Sequence, residues 1–200
     1  MEFLTELWMP ILVSAVVTWI AGAVIWMALP HHKKDMSELP NQKDVIEKIR
    51  ALGLPPGNYM FPGGGCSKEA MKDPEVQRCW KEGPLGFISL WKTPPKMGPS
   101  MIGTFCVNLA VSVTIAYLAW VTIGGVEAGT MGGVAGVEAR PGLTFLSVFQ
   151  VTGTAGILAY AFSHIPNALW FGTAKRAIVM NIIDGVVYGC ITGAIFAWLW

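Results

Sequence analysis

Four uninterrupted apolar runs constrain this chain more than any other feature of its sequence. They extend over about 7–29, 101–123, 143–163 and 177–200. A helix rises 1.5 Å per residue, so about 20 apolar residues cross the roughly 30 Å hydrocarbon core of a bilayer. The runs are continuous rather than alternating, which argues against strands of a lipid-facing barrel. The expected fold is therefore an all-α integral membrane protein, a bundle of four transmembrane helices. Pro10 falls in the opening turn of the first run, where a missing N–H costs little. Ser163-His164-Ile165-Pro166 is expected to stop the third. The residues before the first run carry Glu2 and Glu6 rather than Lys or Arg, so a retained helix is expected there instead of a cleaved signal peptide.

Charge is scarce and concentrated. Only 14% of the residues are charged, against about a quarter in soluble domains, while 53% are hydrophobic and the net charge is +1. These values exclude a disordered chain, a nucleic-acid binder driven by net charge, and a small disulfide scaffold. Of 27 charged residues, 19 lie between Lys33 and Lys96. They mark a polar insert of about 70 residues, 30–100, between the first two runs. Val45, Ile49 and Leu52 recur at helical spacing, which predicts a short amphipathic helix over about 41–52 closed by Gly53. Asp73-Pro74-Glu75 combines an N-cap, a proline for the first helical position and an acid for the first turn, predicting a helix over about 74–81. Residues 58–61 and 86–92 read as extended and suited to pairing, so the insert is an ordered mixed layer. Between the second and third runs, 124–142 is Gly-rich and nearly repeats itself, Gly125-Val126-Glu127-Ala128 and then Gly136-Val137-Glu138-Ala139.

Orientation follows from Lys and Arg near the apolar runs. Eleven lie in the insert, and Lys175 and Arg176 lie between the third and fourth runs; the opposite side has Arg140 alone. The positive-inside rule then places 33–96 in the cytoplasm and both termini outside, in a bacterial inner membrane. Trp8, Trp19, Trp26, Trp120, Trp170, Trp198 and Trp200 are read as interfacial rings near helix ends.

Helices in lipid associate through close backbone approach and polar contacts, because burial from water no longer drives them together. The fourth run has Asn181, Gly185, Gly189, Gly193 and Ala197 every fourth residue. The second has Thr104, Asn108, Ser112 and Ala116; the first Ser14, Thr18 and Gly22; the third Thr152, Gly153, Gly156 and Ala159. These stripes serve either internal packing or, on the fourth helix, the docking of another subunit.

Asp184 is the strongest candidate for chemistry, since an ionisable residue inside a spanning segment is expensive to bury. It lies seven residues past Ala177, about 10 Å into the helix. Asn181 and Tyr188 flank it by a turn, and His31, His32 and His164 end their runs on the same side. The expected polar cluster is Asp184, Asn181, Tyr188, His31, His32 and His164. Adjacent histidines are not a two-ligand spacing on one helical face, so no metal site is expected. No resident cofactor is expected either; a haem near His164 is the alternative. Cys66, Cys79, Cys106 and Cys190 form no motif, and Gly63-Gly64-Gly65-Cys66-Ser67-Lys68 lacks the Gly-Lys-Ser/Thr ending of a phosphate loop.

Leu29-Pro30-His31-His32-Lys33-Lys34-Asp35, Leu39-Pro40, Tyr59-Met60-Phe61-Pro62, Lys72-Asp73-Pro74 and Asp184-Gly185 give the chain a layout that resembles uncharacterised conserved bacterial small multi-pass membrane proteins. That resemblance implies a fold and no chemistry. With no catalytic motif, the expected role is a non-catalytic accessory subunit of a larger inner-membrane complex. The alternatives are a small homo-oligomeric transporter or channel using Asp184, and a haem- or quinone-associated redox subunit. Expected partners are membrane lipids, including bound ones, and other membrane subunits or further copies of the chain, without nucleic acid.

Overall fold

The computed structural model describes residues 2–63, 67–68, 72–123 and 144–200. The Gly-rich loop expected over 124–142 lies outside them. The chain divides into two compact units, Met1–Met36 with Met97–Trp200, and Ser37–Lys96.

The first unit carries four helices long and apolar enough to cross a membrane. A short helix α1 (Glu2–Glu6) precedes the first of them, α2 (Trp8–Met27). The run expected over 7–29 thus starts with a break at Leu7 and ends two residues early. Pro30 explains the early end. It disfavours helical backbone at the residue before it, and Leu29 is extended at φ −85° and ψ 141°. Helix α5 (Met97–Thr122) begins four residues ahead of the expected 101, because Pro99 in a first turn removes no helical hydrogen bond. Helix α6 (Phe145–Ala161) does not stop at Ser163-His164-Ile165-Pro166. It tightens into a 3₁₀ turn at Phe162–His164 and resumes as α7 (Ile165–Trp170), with Pro166 tolerated near the new N-terminus. Helix α8 (Lys175–Leu199) completes the bundle.

Helix α2 packs on α5 and α8, α6 packs on both α5 and α8, and the four close into a ring. The glycine stripe of α8 is consumed inside this ring. A methyl group on Gly193 would sit 2.7 Å from the Gly153 Cα, and one on Gly189 would sit 2.5 Å from the Ile157 backbone nitrogen. Gly185 lies as tightly against Ala161. Ala197 packs at the edge of the apolar core. The stripe therefore builds the α6–α8 contact rather than a docking face for another chain.

The interior of the bundle changes character along its length. Leu7, Ile11, Ile115, Ala116, Val148 and Phe196 form a buried apolar cluster at the end where α2 begins and α8 finishes. The middle is hydroxyl-lined. Ser14 Oγ donates to Ser112 Oγ at 3.0 Å across α2 and α5, and Thr18 and Thr152 donate to carbonyls four residues back at 2.6 and 2.7 Å. Asn108 is buried in the same layer. Trp19 donates its indole N–H to the Met101 carbonyl in the first turns of α5 at 2.9 Å.

The second unit contains α3 (Gln42–Ala51), β1 (Gly57–Phe61), α4 (Pro74–Glu82) and β2 (Gly86–Leu90). Asp73 caps α4, its carboxylate accepting from the Glu75 backbone N–H at 2.8 Å. The strands pair antiparallel from Gly57↔Leu90 to Phe61↔Gly86. The Phe61 ring lies over Gly86, where a methyl group would come within 2.5 Å of the ring.

Candidate functional site

The site begins where α2 ends. Pro30–His32 forms a 3₁₀ turn, held by Lys33 N–H on the Pro30 carbonyl at 3.1 Å and Asp35 N–H on the His32 carbonyl at 3.0 Å. The turn folds the chain back against the first half of α8, and both adjacent imidazoles reach the same carboxylate. His32 Nε2 lies 2.7 Å from Asp184 Oδ2, and His31 Nε2 lies 3.2 Å from Oδ1. Adjacent histidines on an ideal α-helix would diverge, as the sequence reading expects; here the turn after the proline brings both onto Asp184. His32 and Asp184 are buried, whereas the His31 side chain is 26% exposed.

Three residues that sequence reasoning did not assign to the site complete it. Asp35 Oδ2 lies 2.6 Å from His32 Nδ1, on the opposite side of the ring from Asp184. Arg176, in the first turn of α8, pairs with Asp35 Oδ1 and donates to the His31 carbonyl at 2.5 Å. Trp26, from the last turn of α2, stacks on His32 with centroids 3.9 Å apart and planes 6° from parallel. The signal for Asp35 was its position three residues after His32 in a chain segment ready to turn. Arg176 carried no such signal, because its partners are 141 and 145 residues away.

With carboxylates at both nitrogens, His32 satisfies the pair by donating from both. Burial alone would push its pKa down; the hydrogen bonds to Asp184 and Asp35 outweigh that and hold it above the ordinary histidine value. Two carboxylates thus face one guanidinium and one imidazolium, and Trp26 offers its π face to the cationic ring. The arrangement clasps the end of α2 to the start of α8. His31 Nε2, His32 Nε2 and the Asp184 carboxylate also lie within 4.8 Å of one another, the donor set of a two-histidine, one-carboxylate metal site.

Among the described residues, the remaining expected members make no hydrogen bond to Asp184. His164 and Asn181 line a separate groove with Ala161, Ile165, Ala168, Ile178 and Ile182. Its enclosed space of about 10 Å³ is room for about one water. Tyr188 turns toward α2, where a methyl group on Gly22 would lie 3.4 Å from its hydroxyl, and meets Tyr160 edge-on at 5.8 Å. The three histidines therefore do not form one cluster.

No protein-family model, curated protein or solved structure matches this chain.

Proposed function

We propose that the chain is a non-catalytic structural subunit of a bacterial inner-membrane assembly, with 33–96 in the cytoplasm and the helices held in fixed register by the His31–His32–Asp184–Asp35–Arg176 clasp. One observation carries the choice over transport. The hydroxyl-lined middle of the bundle ends on the cluster of Leu7, Ile11, Ile115, Ala116, Val148 and Phe196, which closes the far end with apolar side chains. A coupling carboxylate needs an ion or water path on both sides. Asp184 has two imidazoles on one side and this plug beyond it on the other.

The test is purification from native membrane in mild detergent, with mass spectrometry of co-migrating chains, a visible spectrum, and flux assays after reconstitution. Stoichiometric partner chains and tight vesicles support the subunit reading. A self-oligomer whose proton or cation flux disappears in Asp184→Asn overturns it in favour of transport. A Soret band overturns it in favour of a redox subunit.

A further inference from the structure

The geometry points to a divalent transition-metal site formed by His31 Nε2, His32 Nε2 and the Asp184 carboxylate, with Asp35 orienting His32 from behind. The three ligand groups already converge. His32 Nε2 and His31 Nε2 lie 2.7 and 3.2 Å from the two Asp184 oxygens, and all three donors fall within 4.8 Å. In a tetrahedral zinc site with bonds of about 2.0–2.1 Å, neighbouring donors are about 3.3 Å apart. Admitting an ion therefore requires the widest gap to close by at most about 1.5 Å, shared between the two imidazoles on one short turn and the Asp184 side chain on α8.

A second feature belongs to metal sites in particular. Metal-binding histidines almost always donate their other ring N–H to a carboxylate or carbonyl, which fixes the tautomer and aims the free nitrogen. Asp35 Oδ2 lies 2.6 Å from His32 Nδ1, directing Nε2 at Asp184. Arg176 pairs with Asp35 in turn, so the outer carboxylate is itself held. When a divalent ion enters, the Nε2 proton of His32 leaves to solvent and His31 carries its ring proton on Nδ1 instead of Nε2, so that two neutral imidazoles and one carboxylate bind. The part-exposed side of His31 leaves a fourth position for water. Two nitrogens and a carboxylate suit Zn²⁺, Co²⁺, Fe²⁺ or Mn²⁺ better than Ca²⁺ or Mg²⁺, which take oxygen donors.

The experiment uses the full chain in detergent, stripped with a chelator and titrated calorimetrically with Zn²⁺, then with Co²⁺ followed by visible absorption. We expect one ion per chain and a Co²⁺ d–d spectrum of a four-coordinate nitrogen–oxygen site. His31→Ala, the mildest ligand change because that side chain is part-exposed, should weaken Zn²⁺ binding at least about tenfold. Asp35→Asn should keep the stoichiometry and weaken binding about 10- to 100-fold. His164→Ala should leave binding unchanged. The proposal is overturned if the wild-type chain takes up no Zn²⁺, or if His31→Ala and Asp35→Asn bind it as wild type does. A thiolate-to-Co²⁺ charge-transfer band would place the ion on cysteine and overturn it equally.

Discussion

Asp184 is a carboxylate seven residues past Ala177 in an apolar helix, and it meets two imidazoles that belong to no spanning helix, because Pro30 ends α2 and the next turn folds back. Removing one partner of a buried, paired set leaves the others unmatched, typically at about 3–5 kcal/mol. Asp184→Leu strips both histidines of their acceptor and should destabilise the bundle by about 3 kcal/mol or more. Asp184→Asn keeps one acceptor oxygen and should fall between that variant and wild type. Thermal unfolding in detergent, followed by helical circular dichroism, checks the order; equal melting temperatures for wild type and Asp184→Leu would show that the clasp carries no stability. That Asp184 needed a partner was legible in the sequence, since no charge sits unpaired in lipid at low cost. The sequence also put His31 and His32 among its candidate partners; that these two, rather than Asn181, Tyr188 or His164, reach the carboxylate was not legible, because it depends on a turn geometry that hydropathy does not encode.

Among the elements, the spans were legible because length and apolarity alone specify them in a bilayer. Their ends were less so. Hydropathy does not register the break at Leu7 or the 3₁₀ turn at Phe162–His164, and a proline reads as a stop whether it ends a helix or opens the next, as Pro166 does. The four-residue stripe of α8 was legible as close packing, and the structure supplies its partner, α6. There a larger side chain meets backbone as well as side chain, and backbone cannot yield by a rotamer change. Gly189→Leu should therefore push α6 away from α8 at a cost of about 1–3 kcal/mol or more, seen as loss of monodisperse protein in size-exclusion chromatography. Gly103→Ala is the matched control. A methyl group there meets nothing within 4 Å, and the change should stay within about 1 kcal/mol of wild type. If both variants purify alike, the α6–α8 contact does not hold the bundle together.

For the molecule as a whole, the polar end of the bundle and the positive charge of the sequence coincide. The clasp joins the chain just before the insert to the start of α8, while the apolar plug closes the end where α2 begins. Lys and Arg favour the cytoplasmic side of a membrane, and in the sequence 13 fall between α2 and α5 or around the start of α8, against Arg140 alone between α5 and α6. A single basic residue does not offset that imbalance, so the bundle should insert with its histidines inward. Cysteine labelling checks this in a background with Cys66, Cys79, Cys106 and Cys190 replaced by serine or alanine. In intact cells, a membrane-impermeant maleimide should modify Thr130→Cys and leave Ser67→Cys unmodified until the membrane is opened. The opposite pattern would place the clasp outside and the plug toward the cytoplasm. His31, the part-exposed member of the cluster, would then face the outer side, and any metal would reach it from there.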